Sequence, residues 1–222
     1  ELLDAMPVHR FRRHAEEWQE LAVEGDEDGL RDRWLALFTP GLGDALDRLW
    51  PTAAGVADGY QSEINLRLEP WTRALVERMR RGYLVMIDYG YPRHEYYHPE
   101  RNQGTWICHF RHRAYADPYL LPGLQDMTAH VDFSALAEAA QRHGLRLAGY
   151  TTQSHFLINS GLERLLARSN PNDVQRHIQL MQGVKRLTLP SEMGEKFKVM
   201  ALALKAPTEL SGFVTRDLRA RL

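Results

Sequence analysis

The sequence of 222 residues has one cysteine, Cys108, and almost no net charge. A single cysteine excludes an internal disulfide framework and a zinc site built from several cysteines. A formal net charge of −1 gives no overall field that would favour nucleic acid or an anionic membrane. No apolar run approaches the ~18 residues of a membrane-spanning helix, and the first residues lack the regions of a signal peptide. No nucleic acid partner and no membrane span are therefore expected.

Several catalytic motifs are also missing. The sequence contains no phosphate-binding P-loop and no G-x-S-x-G elbow of serine hydrolases. Its one G-x-G, at residues 41–43, follows Pro40 rather than a buried strand, which argues against a nucleotide loop. Cys108 lies in an apolar strand candidate, and core packing is favoured over a nucleophilic role.

Apolar residues alternate irregularly with charged ones over residues 8–38, which predicts a two- or three-stranded meander. The glycine and acid cluster at 25–29 predicts a turn within it, and a helix over 12–22 is the alternative.

Beyond residue 40 the pattern alternates between helices and strands, as in α/β proteins. The residues 83–88 form a continuous apolar run that ends in an acid, typical of a strand buried on both faces of a parallel sheet. The residues 91–131 form a long insertion, of a kind that commonly covers an active site. We expect the second half of a doubly wound sheet, whose ligands bind beyond the carboxyl ends of its strands. Helices are predicted near 43–50, 66–79, 132–143, 154–168 and 172–183, and strands at 83–88, 104–110, 145–151 and 197–204.

Acidic residues follow two predicted strand ends. Residues 1–5 are interpreted as the exit of a central strand, which predicts that the chain begins in the middle of a larger α/β enzyme. Glu1 and Asp4 could bind a cationic substrate or position a nucleophile, or they could cap a turn and pair with a nearby arginine. Asp88-Tyr89-Gly90 could serve a ligand or mark an ordinary strand-to-loop junction.

His130 and Asp132 form an H-x-D pattern, the spacing of two ligands in the iron sites with two histidines and one carboxylate. The favoured alternative is that Asp132 caps the next helix and His130 orients a loop, because capping explains Asp132 without further assumptions. The basic and aromatic stretch at 109–115 could contact nucleic acid, but a solvated strand edge is favoured. A second histidine ligand could come from His94, His98, His109, His112 or His155.

Five segments, spread in order over almost the whole chain, together resemble the MidA family. The matching segments are ELLDAMPVHRF (1–11), IDYG (87–90), GLQDMTAHVDF (123–133), TQSHFL (152–157) and SEMGEKF (191–197). Members are class I methyltransferases that depend on S-adenosyl-L-methionine, and mitochondrial relatives are protein-arginine methyltransferases that support complex I assembly. Five ordered matches are far more specific than any one of them.

The resemblance implies that residues 1–222 are the C-terminal part of one class I (Rossmann-like) methyltransferase domain. Glu1 would end the fourth strand, 83–88 would be the fifth, and 145–151 and 197–204 the last two. The spans 8–38 and 91–131 would be insertions that form a substrate-side cap. The family's glycine-rich cofactor loop and the acid after its second strand would lie upstream of Glu1, and the 222 residues include neither.

The resemblance also implies roles for individual residues. Catalytic candidates are Glu1, Asp4, Asp88, Asp126 and His130, and Glu1 and Leu2 are candidates for contacting S-adenosyl-L-methionine. No metal is expected. Substrate-binding candidates are His9, Tyr89, Gln125, Thr128 and Gln153.

The expected function is methyl transfer from S-adenosyl-L-methionine to an arginine side chain of a protein substrate. Two alternatives stay open, a non-catalytic assembly or binding protein of the same fold and an iron-dependent oxygenase that uses His130 and Asp132. The expected location is cytoplasmic for a bacterial protein and the mitochondrial matrix for eukaryotic relatives. The oligomeric state is open, and a homodimer is possible.

Overall fold

The computed structural model describes residues 1–27, 29–170 and 172–222. Backbone contacts divide the chain into two units. The sheet unit contains Glu1, residues 69–93 and residues 131–222, and the meander unit contains residues 2–68 and 94–130. The predicted insertions fall in the meander unit, apart from residues 91–93 and Val131, and their role as a substrate-side cap stays a prediction.

The helices and strands follow one another along the chain with short connections. In chain order they are β1 (His9–His14), β2 (Glu17–Asp26), β3 (Gly29–Ala36), α1 (Leu42–Leu49), β4 (Gln61–Ile64), α2 (Leu68–Arg78), β5 (Gly82–Tyr91), α3 (Arg93–Tyr96), β6 (Ile107–Phe110), β7 (Arg113–Tyr115), β8 (Asp126–Thr128), β9 (Val131–Asp132), α4 (Phe133–Arg142), β10 (Arg146–Thr152), α5 (Gln153–Asn159), α6 (Leu162–Leu166), α7 (Val174–Thr188), α8 (Met193–Lys196) and β11 (Phe197–Leu204).

The meander unit is built on a four-stranded antiparallel sheet in the order β3-β2-β1-β4. Its core gathers Phe11 of β1, Leu42 and Leu46 of α1, and Ile64 of β4. The ring of Phe11 meets that of Trp18 edge-on, 5.4 Å between centroids. The three-stranded meander over 8–38 is confirmed, and the alternative helix over 12–22 is wrong. Asp28, in the predicted turn, lies outside the described residues.

The reason for strand rather than helix over 12–22 lies in the side-chain alternation. Phe11 points into the core, while its neighbours Arg10 and Arg12 are only half-buried. The guanidinium of Arg12 lies over the ring of Trp34, 4.6 Å from its centroid. A period of two places these cations on the opposite face from the core, which a helix could not do.

The sheet unit has a four-stranded mixed sheet in the order β10-β11-β5-β9. β11 is antiparallel to both neighbours, and β5 runs parallel to β9. β11 is almost wholly buried, which accounts for its apolar run from residue 199 to 204. The predicted α/β class is confirmed.

The prediction that residues 83–88 lie buried on both faces of a parallel sheet is wrong. Residues 82–89 of β5 pair antiparallel with β11, and the side chains of β5 alternate between more and less exposed. Tyr83, Val85 and Ile87 are 38%, 47% and 39% exposed within the described residues. A continuous apolar run indicates that both faces of a strand are apolar. It does not indicate the direction of the neighbouring strands or what covers each face.

Helix boundaries follow local signals. The side chain of Asp132 accepts a hydrogen bond from Ala135 N and caps α4, as favoured from the sequence. The helical stretch predicted over 154–168 is divided into α5 and α6, because Gly161 has a left-handed backbone with φ of 95°. In the described ranges, no helix is both long and apolar enough to cross a membrane.

Candidate active site

In the sheet unit, two candidate residues lie at the carboxyl end of β5. The amino nitrogen of Glu1 donates a hydrogen bond to the carbonyl of Ile87, 2.8 Å away, and its side chain is exposed. Asp88 is buried, and its carboxylate accepts a hydrogen bond from the backbone of Tyr89 at 2.9 Å. The Tyr89 ring meets Phe197 edge-on at 5.5 Å. Residues 1–5, predicted as the exit of a strand, form no strand in the structure, but the backbone of Glu1 bonds to β5 next to Asp88.

Gly90, the last residue of the D-Y-G motif, lies where the backbone of Val131 comes too close for a residue with a side chain. A Cβ atom at this position would lie 2.1 Å from the carbonyl oxygen of Val131. Gly90 pairs with Val131 in the parallel ladder between β5 and β9. The glycine thus lets the two strands meet directly after Asp88 and Tyr89, which fixes where the acid stands.

Gln153 begins α5 at the same edge of the sheet, since its neighbour Thr152 pairs with Lys198 and Lys198 pairs with Asp88. The buried amide of Gln153 donates a hydrogen bond to the carbonyl of Leu187 at 2.9 Å. This contact ties α5 to α7, and a substrate contact of Gln153 stays a prediction.

The other two matching motifs meet in one polar cluster. His155 Nδ1 lies 2.9 Å from the hydroxyl of Thr152 and 3.9 Å from a carboxylate oxygen of Glu195. Arg216 donates to the same oxygen of Glu195 at 3.0 Å. The T-Q-S-H-F-L and S-E-M-G-E-K-F segments are therefore joined by hydrogen bonds and ion pairs in the sheet unit.

In the meander unit, the candidates Asp4, Thr128 and His130 belong to two segments that are bonded together. Ala129 N donates a hydrogen bond to the carbonyl of Asp4 at 2.9 Å, and Asp4 is buried. Thr128 is also buried, and its hydroxyl has no hydrogen-bond partner among the described residues. The backbone N–H of His130 donates to the hydroxyl of Thr105 at 2.9 Å.

Asp126 and Gln125 lie just before this segment and differ in environment. Asp126 is exposed and begins β8. The amide oxygen of Gln125 accepts a hydrogen bond from the hydroxyl of Tyr115 at 2.8 Å, and its nitrogen donates to the carbonyl of Pro118. Gln125 is thus held by its own neighbours, while Asp126 keeps a solvent-facing carboxylate.

His9 is held by a buried carboxylate, that of Glu20. His9 Nδ1 lies 3.0 Å from one oxygen of Glu20, which also accepts from the hydroxyl of Thr39 at 2.6 Å. The second oxygen accepts from the backbone of Thr39 at 3.0 Å and of Phe38 at 3.3 Å. Burial alone would raise the pKa of Glu20, but these hydrogen bonds outweigh it and hold the pKa below its usual range.

A second buried carboxylate, Glu63, was not predicted from the sequence. It is 1% exposed, and one of its oxygens accepts from Tyr96 at 3.0 Å and from the backbone of Thr105 at 2.8 Å. Burial raises the pKa of Glu63, although the hydrogen bonds from Thr105 and Tyr96 and the charge of Arg10 act in the opposite direction. No local signal identifies it, because Gln61, Ser62 and Glu63 make β4 a mostly polar strand in sequence.

The iron alternative finds no added support. Asp132 caps α4 and lies 3.6 Å from the guanidinium of Arg93, so its carboxylate has structural partners. Among the described residues there is no group of three or more His, Cys, Asp or Glu side chains that could hold a metal ion.

The geometry defines an α/β protein with acidic residues at the carboxyl ends of its strands and a second, mostly antiparallel unit. Residues 1–151 match the family described as putative S-adenosyl-L-methionine-dependent methyltransferases. The match covers well over half of the chain, and the chain therefore belongs to this family. The resemblance to MidA proteins is confirmed.

Two curated relatives are similar along most of the chain. It is 29% identical over 216 residues to the human mitochondrial protein arginine methyltransferase NDUFAF7, which covers 91% of the chain and 44% of the relative. It is 28% identical over 210 residues to the Drosophila melanogaster homolog, covering 91% of the chain and 45% of that protein. The chain thus spans less than half the length of these relatives.

Solved structures agree over the whole chain. A protein from Burkholderia thailandensis, crystallised bound to S-adenosyl-homocysteine, matches with a TM-score of 0.91 and 38% identity, covering 100% of the chain and 56% of that protein. A native crystal structure of a COG1565 superfamily protein from the same organism matches with a TM-score of 0.90 and 39% identity, covering 100% of the chain and 58% of that protein. The predicted methyltransferase fold is confirmed.

Proposed function

We propose that this chain carries the substrate-facing part of an S-adenosyl-L-methionine-dependent protein-arginine N-methyltransferase. The observation that carries the proposal is the structural match, over all of this chain and 56% of the other, to a protein bound to S-adenosyl-homocysteine, the product that remains after methyl transfer. The arginine acceptor is supported by the curated relatives, which are named protein arginine methyltransferases.

The residues at the end of β5 fit a cofactor contact. Glu1 has an exposed carboxylate, and its amino group is anchored to Ile87 at the sheet edge where ligands of α/β proteins bind. Leu2 is an exposed apolar side chain next to it. Glu1 and Leu2 would contact S-adenosyl-L-methionine, which supplies an activated methyl group when bound.

The proposed role of the acidic residues is to bind the arginine side chain that accepts the methyl group. A guanidinium group is almost always protonated and therefore a poor nucleophile. Carboxylates can hold it through paired hydrogen bonds, localise its positive charge and orient one nitrogen for transfer. We assign this role to Glu1 and Asp4, with Asp88, Asp126 and His130 as further catalytic candidates.

The remaining candidates would bind the substrate protein around the arginine. His9 is held through Glu20, and Thr128 offers a buried hydroxyl with no partner among the described residues. The others, Tyr89, Gln125 and Gln153, each combine this proposed role with a structural contact already described. The mitochondrial location of the named relatives does not settle where this protein acts, and a cytoplasmic location stays a prediction for a bacterial protein.

The test is methyl transfer by the protein in its full native length. With tritiated S-adenosyl-L-methionine and an arginine-containing peptide library, wild type should yield methylarginine identified by mass spectrometry. Combined substitution Glu1→Gln and Asp4→Asn should lower turnover about 100-fold, because the acceptor is no longer held in line. The matched control is Asp47→Asn on the exposed side of α1, which should leave turnover unchanged.

The outcomes separate the alternatives. Wild-type turnover in the double variant would remove the assignment of Glu1 and Asp4. Absence of S-adenosyl-L-methionine binding by calorimetry would favour a non-catalytic binding protein of this fold. Bound iron in the purified protein would instead favour the oxygenase alternative.

A further inference from the structure

The carboxylate of Glu63 is the centre of a hydrogen-bond network in the meander unit. One carboxylate oxygen accepts three hydrogen bonds, from the Tyr96 hydroxyl at 3.0 Å, from Thr105 N at 2.8 Å and from the Thr105 hydroxyl. A buried charge is costly unless it is hydrogen-bonded, so an acid at this position needs all of these donors. The three donors come from two separate segments, and Glu63 fixes both of them to β4.

The hydroxyl of Thr105 links Glu63 to the main chain of His130. It donates its proton to Glu63, and its oxygen accepts the backbone N–H of His130 at 2.9 Å. The next amide back along the chain, Ala129 N, donates to the carbonyl of Asp4 at 2.9 Å. The main chain at 129–130 is therefore held from one side by Thr105 and bonded on the other to Asp4.

Gly104 shows that the position of Glu63 is tightly determined. Its backbone is left-handed, with φ of 73°, and a Cβ atom there would lie 2.2 Å from the second carboxylate oxygen of Glu63. A side chain at residue 104 would displace the carboxylate or the 104–105 backbone. Both residues therefore support the position of the Glu63 carboxylate. Gly104 leaves space for it, and Thr105 donates hydrogen bonds to it.

We propose that Glu63 is a positioning residue for methyl transfer, acting through the Thr105 hydroxyl on the main chain of Ala129 and His130. Through these bonds it sets Asp4 and His130, two residues assigned to the acceptor site. The inference rests on the proposed function, because Asp4 and His130 matter only if the site receives a substrate. It adds a role for a residue that does not itself touch the reacting atoms.

The test uses two substitutions at residue 105 in the full native-length protein. Thr105→Val keeps the side-chain shape and the backbone bond to Glu63 but removes the hydroxyl. It should lower kcat for the arginine acceptor about 10-fold or more, while the KM for S-adenosyl-L-methionine stays the same. Thr105→Ser restores the hydroxyl and should recover most of the wild-type kcat.

Two further measurements separate positioning from stability. Thr72→Val makes the same change at a fully buried threonine of the sheet unit and should leave kcat unchanged even where it lowers Tm. In Thr105→Val, the amide of His130 should exchange with solvent faster, because it has lost its acceptor. Glu63→Gln keeps the side-chain volume and should lower kcat about threefold, since an NH2 group, which cannot accept a hydrogen bond, replaces one of the two carboxylate oxygens.

Wild-type kcat in Thr105→Val and Glu63→Gln would overturn the positioning role and leave the proposed function intact. Equal loss in the valine and serine variants would also overturn it, because the hydroxyl would not be the cause. A wild-type protein that methylates no arginine substrate would remove the proposed function and the inference with it.

Discussion

Glu20 and Glu63 are two buried glutamates of the meander unit. Their hydrogen-bond donors are similar, but their pKa values are shifted in opposite directions. Each accepts the backbone N–H and the hydroxyl of one threonine, Thr39 for Glu20 and Thr105 for Glu63. Yet the pKa of Glu20 is held below its usual range and that of Glu63 is raised above it. The nature of the donors therefore does not decide the charge state.

The balance between desolvation and hydrogen bonding makes the difference. Glu20 uses both oxygens, one toward His9 and the Thr39 hydroxyl and the other toward two backbone N–H groups. Glu63 is bonded through one oxygen, while the other faces Gly104. Desolvation raises the pKa of both acids and hydrogen bonds lower it, and the hydrogen bonds outweigh desolvation at Glu20 but not at Glu63.

Each network ends on a histidine that was singled out from the sequence. Glu20 contacts the ring of His9 directly, and Glu63 reaches the backbone of His130 through Thr105. The contact from Glu20 orients the ring of His9, whereas the contact from Thr105 holds only the main chain of His130. The comparison thus separates support of a side chain from support of the backbone.

The largest expected effect on this comparison comes from removing each carboxylate. Glu63→Ala should lower the free energy of unfolding by about 2–5 kcal/mol, because the buried Tyr96 hydroxyl and the Thr105 amide would lose their acceptor, at about 1–3 kcal/mol for each donor. Glu20→Ala should cost about 1–3 kcal/mol, since its neighbours can turn to solvent more readily. Urea denaturation followed by circular dichroism measures both, and equal losses would contradict the distinction.

Gly104 allows a smaller and more local perturbation of the Glu63 side. Gly104→Ala should destabilise by about 2–4 kcal/mol, because a left-handed backbone is strained and the new Cβ collides with the Glu63 carboxylate. Gly59→Ala is the matched control, with φ of 81° and no atom within 4 Å of the new Cβ. It should cost about 1 kcal/mol in the same denaturation experiment.

A loss at Gly104 no larger than that at Gly59 would show that the carboxylate of Glu63 moves freely. That result would weaken the positioning role, since a mobile carboxylate could not fix Thr105.

The smallest effects, and the most diagnostic, are the opposite pH dependences of the two acids. The lowered pKa of Glu20 means that its stabilisation is present above its ordinary pKa of 4.5 and is lost as the pH falls through the folded value. The raised pKa of Glu63 means that the folded state binds this proton more tightly, so stability is lost as the pH rises from 4.5 through the folded value.

Unfolding free energies at several pH values between 4 and 8 test this for wild type, Glu20→Gln and Glu63→Gln. Wild type should gain stability relative to Glu20→Gln as the pH rises, and lose it relative to Glu63→Gln over the same range. Slopes of the same sign would refute the assignment of opposite charge preferences.

Local patterns in the sequence were sufficient for many elements. β11 was predicted with its exact bounds from an apolar run, and Asp132 was recognised as a helix cap from its place before α4. The predicted helix over 154–168 missed the break at Gly161, because one glycine inside a helical pattern is often tolerated. Asp88 was placed near the end of a strand because an acid followed an apolar run, whereas residues 1–5, predicted as a strand exit, form no strand.

The family membership was likewise encoded in ordered motifs, since each motif requires particular side chains or a glycine at a particular place. Gly90 is an example. The sequence shows that it has no Cβ, but the reason is the close approach of the Val131 backbone, 41 residues further along the chain.

What the sequence by itself determined is therefore the order of helices and strands, the caps and the family. Tertiary structure alone decided the antiparallel pairing of β5 with β11, the exposure of one β5 face and the burial of Glu63. The partners of Glu63 lie 33 and 42 residues away in the chain. Burial and charge state depend on such distant neighbours, and no local pattern of residues reports them.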